Sequence, residues 1–390
     1  MSPSVAKKIV VVGGGVSAGY FARAMVAANA PGAALTIISS ENVAPYERPA
    51  LTKAVLHAES PARLPGFHTS VGGGGERQTE EWYTEKGITL KLGTTVVGWD
   101  KANQTVTTDA GDVTSYDKLV VAIGCTALKL PASIGGGLSG VHYVRNNADA
   151  LALAEAMSTA KKQPVVIGGG YIGLEVSAAL AARGMNPRVV LMEPHVMARL
   201  WNSEIAQKYE QFFETKGVAF YRNAKVKAIN AGDDGAVASV TLADGEVLET
   251  DLVVVGVGAG ANYAPFDGLD STPDPRSPGG IAVDGMFCAS GAGVADKTGT
   301  YCISPNPKTV CLYTDTFLLQ KQSTRSGTSR RFQSPTARRF RRRGWSTWRT
   351  PGVPPRTAPP PCLTTPSQRN TNTSRSSTRA CSSRRTRRGR

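Results

Sequence analysis

Paired cysteines are missing from this chain. Its six cysteines, Cys125, Cys288, Cys302, Cys311, Cys362 and Cys381, form neither CxxC nor CxxxxC. That spacing excludes a local dithiol relay and a cysteine zinc knuckle. Histidine is scarce and dispersed, at His57, His68, His142 and His195, so no metal site is expected. No run approaches the ~18 uninterrupted apolar residues of a membrane span. The opening MSPSVAKK runs straight into a strand, too short for a signal or transit peptide, and the terminal RRGR carries no lipidation or peroxisomal signal. Free thiols, no membrane partner and a cytoplasmic location are the expectations.

Acidic residues are absent from Lys321 to Arg390, where 19 Lys and Arg stand. The net charge of +15 belongs wholly to that stretch, because the first 320 residues hold 26 basic and 30 acidic side chains. A basic balance suggests a nucleic-acid partner, with Trp345 and Trp348 as stacking candidates. Here the charge is confined to a segment without periodicity and almost without aliphatic residues. Such a segment cannot bury enough apolar surface to offset its ordering entropy. A disordered tail over 304–390 and no specific nucleic-acid binding are expected.

Glycine is abundant, at 42 residues, and its placement is informative. KIVVVGGGVSAGYFARAM (8–25) and PVVIGGGYIGLEVSAAL (164–180) both read as strand, glycine turn and helix. The spacings are Gly13-x-Gly15-x-x-Ala18 and Gly168-x-Gly170-x-x-Gly173, with Gly14 and Gly169 as further permissive positions. Glycines here leave backbone N–H groups at a helix N-terminus open to a pyrophosphate, and the helix dipole favours the anion. An acid follows where a ribose would lie: Glu41 past the second strand of the first unit, Glu193 20 residues after Gly173. A carboxylate accepts from a 2′-hydroxyl and repels a 2′-phosphate, which favours NADH over NADPH at Glu193, although Arg188 and Arg199 stand nearby in sequence.

ENVAPYERPALTKAVL (41–56) reads as a polar loop entering a helix. Each unit continues into alternating strands and then a buried-strand run, KLVVAIG or LVVVGVG, so one plan occurs twice, about 155 residues apart. The expected fold class is α/β with two Rossmann-like dinucleotide-binding domains. The first is discontinuous, over 1–115 and 256–303, and the second covers 116–255. One pocket would hold a flavin and the other exchange a nicotinamide, because hydride transfer needs both rings in contact and shielded from water. Glu175, one turn into the second helix, would face the join. It either orders the nicotinamide or a nearby lysine, or is a surface glutamate.

VAPYERPALTK, LPGFHTSVGGGGERQTEEWY, VVIGGGYIGLEVSAAL, MEPHVMARLW and LVVVGVG together resemble monodehydroascorbate reductase, a flavoprotein family with the glutathione-reductase-like fold. The likeness runs from about Lys8 to Ile303. It implies FAD and NADH as cofactors and the monodehydroascorbate radical as a small-molecule substrate for a monomeric enzyme. By motif, Gly13, Gly14, Gly15, Val16, Glu41, Arg48, Lys53, Val96 and Arg145 would hold FAD. Gly168, Gly169, Gly170, Tyr171, Ile172, Gly173, Leu174, Glu193, Arg199 and Gly258 would hold NADH. The missing CxxxxC fits, since single electrons need no disulfide relay.

Departures are also legible. The family's Ala-Thr-Gly turn is Ala122-Ile123-Gly124, its GVGxRP lacks the arginine, and Ser304-Pro305 replaces a flavin-contacting Gly-Asp. Proline supplies neither carboxylate nor N–H. The family segment YLPFFYSR, written in GC-rich codons and read one nucleotide later, gives TSRSSTRA, found at 373–380. Another, VEHVDHAR, gives WSTWTTPG, found at 345–352 with one change. A frame departure near Ser304 would replace the interface domain and the substrate arginine and tyrosine, so weak flavin retention and impaired activity are expected. The alternatives are a ferredoxin- or rubredoxin-type reductase and a remnant that binds only NADH.

Overall fold

The computed structural model describes residues 7–28, 33–57, 76–274, 277–284, 287–289 and 300–302. The expectations for the glycine-rich loop before Glu76, for Ser304-Pro305 and for the basic tail fall outside these residues.

The first half runs through β1 (Lys7–Val12), α1 (Val16–Ala27), β2 (Ala33–Ile38), α2 (Glu80–Glu85) and β3 (Thr89–Lys91). Then come β4 (Val96–Asp100), β5 (Thr105–Thr108), β6 (Val113–Ser115) and β7 (Lys118–Val121). A linker strand β8 (Cys125–Ala127) leads to β9 (Val141–His142), α3 (Asn147–Thr159), β10 (Val165–Ile167), α4 (Tyr171–Ala182) and β11 (Arg188–Val190). The second half continues with α5 (Ser203–Glu214), β12 (Ala219–Tyr221), β13 (Val226–Ala231), β14 (Val237–Leu242), β15 (Val247–Glu249) and β16 (Val253–Val255). The chain returns through β17 (Ala259–Ala261), β18 (Ser271–Asp274), β19 (Ser277–Ile281) and β20 (Thr300–Cys302).

Two five-stranded sheets follow, in the orders β20-β7-β1-β2-β3 and β12-β11-β10-β16-β9. All their pairings are parallel. Each has a three-stranded antiparallel companion, β4-β5-β6 and β13-β14-β15. The β-branched runs suit sheets covered on both faces. Val10 and Val12 enter one core with Val106, Leu119 and Phe266, while Val11 enters another with Ala18, Ala22 and Tyr83. That is the period-two alternation of a strand. The second sheet divides likewise, with Val165 and Ile167 on one side and Val166 on the other. The architecture is thus α/β with two Rossmann-like units.

Two expectations change. The division at residue 116 cuts off a strand that the first sheet uses: Ile9 to Val12 pair with Lys118 to Val121. The chain leaves that sheet after β7, which lies between β20 and β1 as β16 lies between β10 and β9 in the second sheet. It crosses by β8, which pairs antiparallel with the returning β17. The helix expected after APYERP is, in the described residues, a 3-10 turn at Arg48–Ala50 followed by further turns. Its apolar residues Leu51, Val55 and Leu56 pack with Leu174, Val176 and Leu180 of α4 in one core cluster. This packing ties the first half to the second.

Candidate dinucleotide sites

The two glycine turns superimpose in their chemistry. Gly13 and Gly168 have φ of 109° and 112°. Their N–H groups donate to Ile38 O and Val190 O, both at 2.8 Å. A Cβ on Gly13 would collide with the Ala122 carbonyl, and one on Gly168 with the Gly256 carbonyl. Gly15 and Gly170 are the N-caps of α1 and α4, with φ, ψ of −85°, −171° and −86°, −170° and no side-chain cap. Val16 and Tyr171 therefore open the two helices. Around a Cβ on Gly170 nothing lies within 4 Å, so the space over the α4 N-terminus is open. Gly173 packs against the Gly168 carbonyl, whereas α1 carries Ala18 at that offset. Leu174 is buried beneath the turn and Ile172 borders Gly256. These are the features a pyrophosphate cradle requires.

At the first cradle the loop after β2 brings Glu41 to Arg48, whose Nη2 donates to Glu41 Oε1 at 2.5 Å. Arg48 also stands over the cradle, its Nε and Nη2 each 3.6 Å from where a Gly15 Cβ would be. Its Nη1 donates to the Arg145 carbonyl at 2.9 Å. Arg145 donates from Nε to Cys125 O at 2.7 Å, and its Nη2 lies 3.1 Å from a Cβ built on Gly124. Burial, then Cys125 in the opposite sense, then Arg48, act on Arg145, with a net lowering of its proton affinity. Arg48 thus brings a guanidinium to the uncapped N-terminus of α1, where an anion is favoured, and is joined to Arg145 through that residue's carbonyl. Asn262, two residues beyond the position of the missing family arginine, donates to Ile123 O at 2.9 Å and accepts from Thr126 at 2.7 Å. Val96 begins β4, its side chain in the core. The preceding segment pairs with the acid's loop, through Gly93 N to Glu41 O at 3.0 Å.

Tyr46 was not among the expected site residues. Its hydroxyl donates to Glu41 Oε2 at 2.7 Å and accepts from Arg48 Nη1 at 3.0 Å. The backbone N–H of Asn147, first residue of α3, also bears on it. Its signal lay in the sequence, within the motif APYERPALTK beside Arg48, but its contact with the first residue of α3 did not.

The seam between the halves is polar at one point. Lys53 Nζ meets Glu175 Oε1 at 2.7 Å, and the Thr52 hydroxyl donates to Glu175 Oε2. Of the two openings left for Glu175, the structure has the lysine pairing. Lys53 also donates to Pro49 O at 3.0 Å and is half exposed. It therefore stands farther from the first cradle's helix end than Arg48 does.

At the second cradle Glu193 lies past the end of β11, partly exposed and without a side-chain hydrogen bond or ion pair among the described residues. Its loop returns to the turn through Met197 N to Gly169 O at 2.8 Å. Arg199 follows, exposed. Arg188 does not accompany Glu193: it starts β11 at the opposite strand end and donates to Gln163 O at 2.9 Å and to Glu249 O. Strand direction, invisible in residue spacing, separates the two. Gly258, at φ 122°, accepts from Leu128 N at 3.0 Å beside β16. A second residue missed by sequence reasoning, Glu210 of α5, is buried beneath this loop. Among the described residues no group of three His, Cys, Asp or Glu could hold a metal, and no helix is long and apolar enough to cross a membrane.

Residues 7–294 match the family described as pyridine nucleotide-disulphide oxidoreductase. The chain is 48% identical over 290 residues to the chloroplastic/mitochondrial monodehydroascorbate reductase of Arabidopsis thaliana, covering 74% of this chain and 58% of that protein. It is 45% identical over 286 residues to the monodehydroascorbate reductase of Pisum sativum, covering 73% and 65%. A solved ferredoxin reductase from Rhodopseudomonas palustris aligns with a TM-score of 0.65 at 28% identity, over 76% of this chain and 67% of that one. The chain thus spans 58% to 65% of the length of those curated relatives. The twin cradles and the long match agree: this chain belongs to the pyridine nucleotide-disulphide oxidoreductase family.

Proposed function

We propose that the chain is an NADH-dependent flavoprotein reductase that passes single electrons to the monodehydroascorbate radical. One observation carries the reading: two cradles of matching geometry stand on either side of a seam bridged by the Lys53–Glu175 pair. The relatives' names supply the radical as substrate.

FAD fits the first cradle and NADH the second. When bound, FAD would accept the hydride of NADH as an electron pair and release it one electron at a time, so that one NADH serves two radicals. The chain's own residues do the rest. Gly13 to Val16, Arg48 and Arg145 neutralise a pyrophosphate, and Glu41 accepts from a ribose hydroxyl. Val96 contributes backbone on the adenine side. Gly168 to Leu174 offer the second helix N-terminus, with Arg199 and Gly258 at its rim. Glu193, unpaired in the described residues, is placed to accept from a 2′-hydroxyl and to reject a 2′-phosphate. Glu175 orients the Lys53 ammonium at the seam, beside the apolar packing of Leu51, Val55 and Leu56 on α4.

The full chain, reconstituted with FAD, tests this. Expected are weakly held flavin and slow NADH oxidation that depends on monodehydroascorbate generated by ascorbate oxidase, in keeping with Ser304-Pro305 in place of the family's Gly-Asp. Faster reduction of a small iron–sulfur protein would move the assignment toward the ferredoxin reductases that share the fold. NADH binding without flavin would restrict it to the second cradle.

A further inference from the structure

Glu210 is a carboxylate buried on the inner face of α5, its side chain 3% exposed. Burying a charge is costly unless every lone pair is used. Here Oε1 accepts from the backbone N–H of Val196 at 2.8 Å. Oε2 accepts from Arg222 Nε at 2.9 Å and faces His195 Nδ1 at 3.3 Å. Gln207 meets the other imidazole nitrogen at 3.3 Å, and Glu214 holds the far side of Arg222 at 2.7 Å. These contacts bracket Glu193. Val196 lies three residues after it in the same loop, and Asn223, next to Arg222, donates its N–H to the Glu193 carbonyl at 3.2 Å. Glu210 thus grips the loop at one point and, through Arg222, the segment beside it. An apolar residue at 210 would leave the Val196 N–H buried and unpaired.

We propose that Glu210 is a positioning residue for nicotinamide-cofactor recognition: it fixes the loop that presents Glu193 to the adenosine ribose. This rests on the reading of Glu193 as the ribose acid.

The test is equilibrium binding to the full chain, by fluorescence or calorimetry, of three probes: NADH, ADP-ribose and reduced nicotinamide mononucleotide, which lacks the adenosine. E210Q is expected to weaken NADH and ADP-ribose by about tenfold, the scale of one charge-assisted hydrogen bond, and to leave the mononucleotide unchanged. It should add little in an E193A background, because residues acting as one unit are not additive. Should E210Q fail to fold, R222Q, which keeps the Val196 contact but removes the strut to β12, is expected to show the same selectivity more weakly. Equal loss for all three probes, no loss, or full additivity with E193A overturns the proposal. If E193A itself leaves NADH binding intact, the ribose assignment is wrong and the inference falls with it. If E193A weakens binding and neither E210Q nor R222Q does, only the inference falls.

Discussion

The phenol of Tyr46 joins the loop after β2 and the Arg48 turn, its neighbours in sequence, to the first residue of α3, which lies far along the chain. Burial first, opposed by Arg48 and aided by Glu41, pushes its proton affinity above the ordinary phenol value, so it stays a donor to Glu41. Phenylalanine would strand Glu41 Oε2 and an arginine N–H beside a buried ring. Tyr46→Phe is therefore expected to weaken FAD retention by about tenfold, read by flavin fluorescence during reconstitution, while NADH affinity at the second cradle is unchanged. Another residue bears on acid tolerance. His142 on β9 is pushed below the usual imidazole value by burial, with Asp149 acting against that. The fold therefore favours the neutral ring. The associated stability is whole above the unfolded value of about 6.5 and is lost as pH falls below it toward the folded value. Thermal melts from pH 8 to pH 5 should fall less steeply in His142→Gln than in the unaltered protein.

Each strand–turn–helix was legible because its geometry demands glycine at fixed offsets, and the offsets stand in the sequence. Two glycines at the start of α4, the N-cap Gly170 and Gly173, separate folding from binding. Gly173 has the Gly168 carbonyl against it, so Gly173→Ala must lift α4 from the turn, at an overpacking cost of about 1–3 kcal/mol. Gly170 has open space, so Gly170→Ala should keep its melting temperature yet bind NADH more weakly, because the new methyl occupies the pyrophosphate's approach. Equal melting losses in the two variants would contradict this division of labour. Other features were not legible, for one reason. KLVVAIG announces a buried strand but not which sheet it joins, and only the register of β7 on β1 decides that. Arg188 appeared close to Glu193 until strand direction put it at the far end. Tyr46 and Glu210 owe their importance to partners that a linear reading cannot bring near. The turns after Arg48 read as a helix because Leu51, Val55 and Leu56 repeat with near-helical spacing, yet that spacing serves packing on α4 instead.

The halves differ in how they hold their acids, and this bears on traffic between them. Glu41 is fastened by Arg48 and Tyr46, whereas Glu193 has a held backbone and, among the described residues, no side-chain partner; on the proposed function the first suits a ligand that stays and the second one that leaves. Between them, Lys53 and Glu175 form one unit that spans the seam, with Thr52 on the second carboxylate oxygen. A half-exposed pair adds little stability, since screened ion pairs contribute under about 1 kcal/mol. On the proposed function, its value lies in fixing where a positive charge sits as the nicotinamide approaches the flavin. Lys53→Met and Glu175→Gln should therefore each slow flavin reduction by NADH, by about tenfold if the charge contributes ~1.4 kcal/mol in the transition state, with the melting temperature nearly unchanged. The double variant should be no slower than the worse single one, because either substitution already breaks the unit. Stopped-flow bleaching of the flavin band under a saturating NADH concentration reads this step alone. Rates that multiply in the double variant would mean that lysine and glutamate act separately, and that the contact across the seam is only packing.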